Sequence, residues 1–273
     1  MQEKLSNPKR TIEILQKYSF TFHKKLGQNF LIDEHVIGKI ISSAGITKDD
    51  MVIEIGPGIG SLTQYLCEAA GHVVAVEIDD KLIPILSATL RDYDNVTILH
   101  EDILKTDLQM ISQTYGEGKP LKVVANLPYY ITTPIIMQLL ESRAPISGIT
   151  VMVQKEVADR MRSGPGSKEY GALSLAVQYY CRISIAVNVP ASCFIPRPNV
   201  DSAVVHLDCE GKPDIAVKDE KLLFGLIRAS FNQRRKTLAN AIKNAPSLSY
   251  SREQVEEALA RMGKPGNIRG EAL

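Results

Sequence analysis

The chain has 273 residues, of which 44% are hydrophobic, and a formal net charge of +1. This length suits one large domain with a smaller companion, and the composition is that of an ordinary globular protein. No apolar run approaches the roughly 20 residues needed to cross a bilayer, and the polar start lacks the apolar centre of a signal peptide, so we expect a cytoplasmic protein without a membrane segment.

Charge is distributed unevenly along the chain. Residues 1–25 carry six Lys or Arg against two acids, residues 26–208 carry fourteen against twenty-one, and residues 209–273 carry twelve against eight. Basic ends around an acidic centre favour a polyanion held by the termini, although single charges are also typical of solvated faces. The four cysteines include no C-x-x-C pair, so we expect neither a metal site nor a disulfide framework.

Strands and helices are predicted to alternate from residue 50 onward. Short apolar runs predict strands at 51–55, 72–78, 96–99, 121–125, 148–154, 183–189 and 202–207, and amphipathic stretches predict helices at 61–70, 81–91, 134–141, 155–162 and 170–180. This order predicts parallel crossover units in a doubly wound α/β sheet, whose ligands lie at the carboxyl ends of the strands.

A composition break at 211–213 separates this region from two further amphipathic helices, predicted at 221–244 and 252–262. We therefore predict a large α/β domain at residues 1–210 and a small all-helical domain at residues 211–273.

A glycine-rich turn follows the first predicted strand, with Gly56, Gly58 and Gly60 in a G-x-G-x-G pattern. The dinucleotide fingerprint would need a glycine at position 61, where this chain has Ser61. The shorter pattern is commoner in enzymes that bind S-adenosylmethionine, so we predict this cofactor.

Two acids at later strand ends strengthen the prediction. Glu77 lies about twenty residues past the first glycine, where a carboxylate can accept from both ribose hydroxyls, and Asp102 is placed to accept from the adenine amino group. Either acid alone is more typical of a solvated strand end, but their order after the glycine turn favours a cofactor site.

The segment 126–133 supplies candidate catalytic residues. An exocyclic amino nitrogen on a base is weakly basic and needs positioning rather than a general base. The Asn126 side-chain oxygen and the Leu127 carbonyl are predicted to accept its two hydrogens, while Pro128 stiffens the turn and Tyr129 offers a ring on which the base stacks. The alternative is an ordinary turn, because Asn and Pro are common turn residues.

A second stacking face is predicted at Phe194, at the start of the proline-rich loop 194–202, opposite Tyr129. The alternative is that Phe194 belongs to the core, because buried phenylalanine is common. Near the start of the chain, the amides of Gln28 and Asn29 are predicted to fold over the cofactor.

Two clusters of cations are predicted to contact RNA phosphates. The first contains Lys24 and Lys25, and the second contains Arg234, Arg235 and Lys236 within one predicted helical turn.

In these motifs the chain resembles the bacterial small-subunit (16S) rRNA adenine N6,N6-dimethyltransferases, the KsgA or RsmA family. The match runs through 23–31, the glycine turn, 126–133, 154–158, 194–202 and 231–237. The resemblance implies a Rossmann-like class I methyltransferase domain, a helical rRNA-binding domain and four methyl transfers to two adjacent adenines in the 3′-terminal helix loop, late in 30S assembly. It implies S-adenosylmethionine contacts at Asn29, Leu31, Gly56, Glu77, Asp102 and Asn126.

The resemblance leaves alternatives open. The related Erm group methylates large-subunit rRNA and shares the Asn-x-Pro-Tyr motif. The segments 154–158 and 231–237 favour the small-subunit enzyme. Further alternatives are the mitochondrial relatives that double as transcription factors, and an RNA-binding protein that acts mainly as an assembly checkpoint. We expect a monomer that binds the 30S pre-ribosomal particle and no DNA. Relatives usually continue beyond a segment like 269–273, so a shortened final helix would affect ribosome docking.

Overall fold

The structure is a computed structural model that describes residues 4–23, 26–142, 144–211 and 215–272. The chain forms two compact units, one of Met1–Ala158 with Cys181–Gly211 and the other of Asp159–Tyr180 with Lys212–Leu273. This division differs from the predicted boundary at residue 210, because residues 159–180 belong to the second unit. Both predicted helices over 155–180 form, and the rings of Tyr179 and Tyr180 at the end of the second pack on Phe224 in the C-terminal part of the chain.

The first unit is built on a seven-stranded sheet in the order β4-β3-β2-β5-β6-β9-β7. Pairing is parallel from β4 to β6 and antiparallel at β9 and β7. A separate two-stranded ladder joins β1 and β8. The strands are β1 Phe30–Leu31, β2 Met51–Ile55, β3 His72–Glu77, β4 Val96–His100, β5 Leu121–Asn126, β6 Ile146–Gln154, β7 Arg182–Val189, β8 Phe194–Ile195 and β9 Ser202–Asp208.

The predicted α/β sheet is therefore confirmed, and its central strands show why it forms. All residues of β2 are buried, as are all but the first of β3, so both faces of these strands are covered. Continuous runs of β-branched residues suit such doubly covered parallel strands. Their carboxyl ends point to one edge of the sheet, which is where the candidate site lies.

Helices cover the sheet between strands. In this unit they are α1 Pro8–Lys17, α2 Glu34–Ala44, α3 Ser61–Ala69, α4 Ile83–Thr89, α5 Leu108–Gly116, α6 Thr132–Glu141 and the start of α7 Lys155–Arg162. The sequence analysis missed α1, α2, α5 and the β1–β8 ladder. Local signals for two of these helices were present, because Asp33 and Asp107 cap α2 and α5 by accepting hydrogen bonds from Val36 N and Met110 N.

The second unit is helical and contains the rest of α7 with α8 Ala172–Tyr180, α9 Glu220–Asn232, α10 Leu238–Lys243 and α11 Arg252–Arg261. The prediction of one continuous helix at 221–244 is wrong. Gln233 leaves helical geometry with φ −126°, and Thr237 starts a new helix by accepting from Asn240 N. Helices α9, α10 and α11 share an apolar core that contains Ala229, Leu238, Ala239, Ile242, Val255 and Leu259.

Candidate active site

One pocket lies at the carboxyl ends of β2, β3, β4 and β5. Its open space measures about 1030 Å³, a volume that includes the mouth open to solvent. The pocket brings together all the predicted cofactor residues and all the predicted catalytic residues except Phe194. They are Gln28, Asn29, Leu31, Gly56, Gly58, Glu77, Asp102, Asn126, Leu127, Pro128 and Tyr129.

The glycine turn has the backbone geometry that only glycine adopts freely. Gly56 and Gly58 have φ +65° and +64°. A Cβ atom added to Gly56 would meet nothing within 4 Å, so this backbone faces open space. At Gly58 an added Cβ would lie 2.8 Å from the Phe30 ring of β1, so this glycine allows the N-terminal segment to cross over the turn.

Glu77, at the end of β3, ties the glycine turn to the next loop. Its Oε2 accepts from Gly58 N at 3.2 Å, and its Oε1 accepts from Ile78 N and Asp79 N, both at 2.9 Å. Burial raises the pKa of the Glu77 carboxyl, while the backbone donors act in the opposite direction. The carboxyl group is therefore held in place at the pocket wall before any ligand arrives.

The predicted adenine position lies near Asp102, which follows β4. Asp102 Oδ1 accepts from Leu104 N at 3.0 Å, which fixes the side chain against its own turn. Ile78 and Ile103 also line the pocket, and Ile78 is 50% exposed although it is a large apolar residue. Apolar walls beside a few fixed polar groups are typical of sites that bind an aromatic ring.

Asn126, at the end of β5, has its amide group oriented by the N-terminal segment. Its Nδ2 donates to the backbone carbonyl of Asn29 at 2.8 Å, so its Oδ1 faces the other way. Among the described residues, no hydrogen bond ends on Asn126 Oδ1 or on the Leu127 carbonyl. The Leu127 amide donates to Met152 O at 3.1 Å, which anchors this loop to β6.

Two consecutive tyrosines follow Pro128 and differ in exposure. Tyr129 is half-buried, and its hydroxyl lies 2.8 Å from Ser202 Oγ. Tyr130 is 58% exposed and also lines the pocket, near Gly27. Burial raises the pKa of both phenols, and the negative charges of Asp102 and Glu77 add to the rise at Tyr130. Tyr130 therefore lies towards the predicted cofactor half of the pocket, and sequence reasoning did not select it.

The segment 26–31 forms one wall through hydrogen bonds of its own. Gln28 Nε2 donates to Asp79 Oδ2 at 2.6 Å, and Gln28 Oε1 accepts from His23 N at 2.9 Å. Asn29 Nδ2 donates to Gly27 O at 3.0 Å. Both ends of the Gln28 amide are thus occupied within the protein, and Gln28 braces the wall.

Phe194, predicted as a second stacking face opposite Tyr129, lies in the core and is not among the residues that line the pocket. Phe194 is 3% exposed and belongs to a core cluster with Leu31, Val36 and Val189. The ladder of β1 and β8 pairs Phe194 with Leu31 and turns the ring inward. Burial of the apolar Phe194 ring is favourable at this position, because the ladder places it against other buried residues. The structure therefore favours the alternative that Phe194 belongs to the core.

The predicted phosphate-binding cations have different surroundings. Lys24 and Lys25 lie outside the described residues. Arg234, Arg235 and Lys236 lie in the non-helical turn between α9 and α10, which corrects their predicted place within a helical turn. Arg234 Nη2 donates to Lys168 O and Tyr170 O, both at 2.8 Å, and lies 3.5 Å from Glu271 Oε2. Arg235 and Lys236 are exposed.

Comparisons with known proteins decide the family. The profile of the family described as ribosomal RNA adenine dimethylase matches residues 19–263. This chain belongs to the ribosomal RNA adenine dimethylase family. It is an S-adenosylmethionine-dependent methyltransferase of Rossmann-like fold, as the cofactor and fold predictions stated.

Relatives of this dimethylase are similar over nearly their whole length. A protein of Lachnoclostridium phytofermentans named ribosomal RNA small subunit methyltransferase A is 65% identical over 98% of this chain and 93% of its own. A protein of Geobacillus thermodenitrificans with the same name is 52% identical over 100% of this chain and 94% of its own.

Two solved structures share the fold of this dimethylase. A dimethyladenosine transferase from Plasmodium falciparum is 27% identical, with a TM-score of 0.70 over 89% of this chain and 92% of that one. The 23S rRNA methyltransferase ErmE is also 27% identical, with a TM-score of 0.64 over 89% of this chain and 96% of that one.

The residues present fit the cofactor of the family. The open space at Gly56 leaves room for close approach to the backbone, and a buried carboxylate oxygen at the pocket wall, Glu54 Oε2, has no hydrogen-bond partner among the described residues. Sequence reasoning missed Glu54, although it lies only two positions before Gly56. In the described part of the chain no group of His, Cys, Asp and Glu side chains is arranged to hold a metal ion, and no helix has the length and apolarity to cross a membrane.

Proposed function

We propose that this protein dimethylates the N6 amino groups of two adjacent adenosines in the 3′-terminal helix loop of small-subunit rRNA. The orientation of the Asn126 amide carries the chemical part of the proposal, because it leaves an unpaired acceptor beside the pocket. The names of relatives at 50–65% identity support the choice of the small subunit. We further propose that the protein acts as a monomer in the cytoplasm on the 30S pre-ribosomal particle and does not use DNA.

Positioning by two acceptors explains how the amino group becomes reactive. Asn126 Oδ1 and the Leu127 carbonyl accept the two N6 hydrogens, which draws the nitrogen towards pyramidal geometry and frees its lone pair. The cofactor, when bound, supplies the electrophilic methyl group. The methylated nitrogen then loses one proton, and because the aromatic amine is weakly basic no general base is needed before attack.

The second methylation requires the same site to work with one hydrogen fewer. After the first transfer only one of Asn126 and Leu127 keeps its hydrogen bond, so the other must tolerate a methyl group. Leu127 is 1% exposed and is held by Met152, whereas Asn126 is partly exposed. We therefore propose that the first methyl group turns towards the Asn126 side, where the protein is less tightly buried.

Stacking holds the base during both transfers. A base on an aromatic ring gains about 1–3 kcal/mol, which offsets part of the few kcal/mol needed to flip it out. Tyr129 has a fixed hydroxyl and lines the pocket, so it supplies the ring. Phe194 is buried and is not among the residues that line the pocket.

The rival function is methylation of large-subunit rRNA, which the fold shared with ErmE keeps open. A checkpoint role in assembly is compatible with either reaction. The deciding experiment supplies labelled S-adenosylmethionine with unmodified small subunits, large subunits or DNA, followed by digestion to nucleosides. We expect label in dimethyladenosine from small subunits alone. Label from large subunits or DNA would contradict the proposal.

A further inference from the structure

Two of the four cysteines lie side by side at one end of the sheet. Cys181 directly precedes β7 and Cys209 directly follows β9, and the antiparallel pairing of Arg182 with Asp208 makes them the next facing pair. Both are free thiols, and their Sγ atoms lie 2.6 Å apart. Facing residues of antiparallel strands have Cα atoms about 4.5–5.5 Å apart, within the range of about 4.4–6.8 Å that a disulfide spans. The backbone geometry at this pair therefore suits a disulfide bond.

The turn that carries Cys209 is fixed in this position. The Cys209 amide donates to Ser147 O at 3.0 Å. Asp208 Oδ1 accepts from Glu210 N at 3.2 Å and from Gly211 N at 3.0 Å, which closes the turn on the other side of the cysteine. The two sulfur atoms are therefore brought together by the fold of the first unit and not by a loose loop.

The two thiols differ in accessibility and in acidity. Cys181 is 1% exposed, whereas Cys209 is partly exposed. The hydrogen bond with Cys209 is the largest cause of a raised pKa at the Cys181 thiol, and burial adds to it, so Cys181 keeps its proton at neutral pH. An oxidant must reach a sulfur atom in its thiolate form. Cys209 is therefore the sulfur that reacts first, and Cys181 is the sulfur that completes the bond.

The other two cysteines have different neighbours. Cys67 is 3% exposed, and burial raises its pKa to about 12. Cys193 is partly exposed, as Cys209 is, but its Sγ donates to Asp33 Oδ2 at 3.4 Å, and burial with that hydrogen bond raises its pKa to about 11. Within the described part of the chain, neither thiol makes a hydrogen bond to another cysteine. Cys193 is therefore a matched control for Cys209.

We propose that Cys181 and Cys209 form a reversible dithiol–disulfide pair that reacts with low-molecular-weight disulfides. Cys209, as its thiolate, attacks one sulfur of the small disulfide, whose S–S bond breaks and releases one small thiol. Cys181 then gives its proton to solvent and attacks Cys209 Sγ, and the second small thiol leaves. Two protein thiols thus become one disulfide, while the small disulfide gains two electrons and two protons and becomes two thiols. The reverse exchange with excess small thiol restores the dithiol.

The position of the pair predicts what the bond would change. It closes a loop over residues 181–209, which contains β7, β8 and β9 and lies wholly in the first unit. Asp208 pairs with Gly148, and Gly148 pairs with Lys122 near the start of β5, so the dithiol lies at the edge of the sheet opposite the pocket. We therefore expect oxidation to stabilise the first unit and to leave its affinity for S-adenosylmethionine unchanged. The inference does not depend on which RNA is methylated.

Mass spectrometry of the folded full-length protein, equilibrated with oxidised and reduced glutathione, tests the proposal. We expect the oxidised protein to lose two hydrogen atoms and to give, after digestion without reduction, one linked pair of peptides that contains Cys181 and Cys209. Excess reduced glutathione should restore the original mass. Cys193→Ser should form the same bond, while Cys209→Ser should not. A link between any other two cysteines, or a glutathione adduct that remains on Cys209, would overturn the inference.

Thermal unfolding gives a second measurement. Oxidation should raise the midpoint temperature by about 5–10 °C in the wild type and in Cys193→Ser, because the bond restricts the unfolded chain. It should leave Cys209→Ser and Cys181→Ala unchanged, and these two variants alter different thiols, so one remains if the other fails to fold. Binding of S-adenosylmethionine should be equal before and after oxidation of the wild type. A loss of cofactor affinity, or an unchanged midpoint in the linked protein, would contradict the proposed bond.

Discussion

Among the described residues, the pocket of the first unit is lined by four acids and no basic side chain, whereas in the second unit the turn after α9 carries three cations in succession. Three of the pocket acids, Glu54, Glu77 and Asp102, are buried or held by backbone donors. All three cations in the turn are exposed, and two of them, Arg235 and Lys236, make no described ion pair. The comparison teaches that precise chemistry here depends on buried, constrained groups, while attraction of a polyanion needs only exposed charge.

The largest effect is expected on methyl transfer, from a change in the pocket of the first unit. Asn126→Ala removes one acceptor for the amino group, and we expect methyl transfer to fall by at least about 10²–10³-fold, the loss typical of removing one polar group that stabilises a transition state. RNA binding should be unchanged. Single-turnover transfer and RNA binding measured on the same preparation check this, and undiminished turnover would sink the mechanism.

Asn126→Asp sharpens the same point. It keeps an acceptor oxygen but cannot donate to the Asn29 carbonyl, so the side chain loses its orientation. We expect transfer between the wild-type rate and that of Asn126→Ala. A rate equal to wild type would show that the orienting hydrogen bond is unimportant.

A backbone test follows at the glycine turn. Gly58→Ala places a Cβ 2.8 Å from the Phe30 ring at φ +64°, so we expect a loss of about 2–4 kcal/mol in stability together with weaker cofactor binding. Gly118→Ala is the matched control, because Gly118 has φ +74° and open space around it. It should cost only about 1–2 kcal/mol. Urea unfolding of both variants measures the difference, and equal costs would contradict a steric role for Gly58.

Glu54 predicts how stability depends on pH in the absence of ligand. Its pKa is raised from 4.5 to about 8 in the folded protein, so the folded state holds a proton that the unfolded chain has released. The stabilisation is fully present at low pH and is lost as the pH rises through this interval. The free energy of unfolding of Glu54→Gln relative to wild type should therefore increase by up to about 1.4 kcal/mol per pH unit. Urea titrations between about pH 5 and about pH 8 test this, and a constant difference would refute it.

The smallest effects are expected in the turn after α9. They distinguish Arg234, which is held by backbone carbonyls, from Arg235 and Lys236, which make no described ion pair. Arg234→Ala removes two hydrogen bonds to carbonyls and should cost about 1 kcal/mol of stability. Changing Arg235 and Lys236 to alanine should leave stability within about 0.5 kcal/mol but reduce the salt dependence of RNA binding, by about 0.7 per lost phosphate contact on single strands. An unaltered salt slope would exclude phosphate contact by Arg235 and Lys236.

The sequence was most informative where backbone geometry and residue type are coupled. The glycine turn, the acid that closes β3 and the segment from Asn126 were placed correctly because positive φ values and strand ends leave few choices. The sheet was predicted from the continuous apolar runs of its central strands. Helices α2 and α5 were not predicted, although each begins at an aspartate cap.

Other features depend on tertiary contacts that no local pattern reveals. Phe194 is buried by pairing with a strand more than 160 residues earlier, and its loop has the composition of an exposed segment. Arg234 resembles its two cationic neighbours in sequence, yet its guanidinium is held by carbonyl groups of residues 168 and 170. Only the three-dimensional surroundings of Glu54 show that its Oε2 has no hydrogen-bond partner among the described residues.

The hydrogen bond from Asn126 to Asn29 joins residues 97 positions apart, and on the Asn29 side it uses a main-chain oxygen. Every amino acid carries that oxygen, so a substitution at position 29 can preserve the bond while a shift in the path of the chain destroys it. An insertion or deletion between the first basic cluster and β1 should therefore impair the catalytic amide more than most side-chain changes there. In this segment the number of residues therefore matters more to the Asn126 amide than their identity.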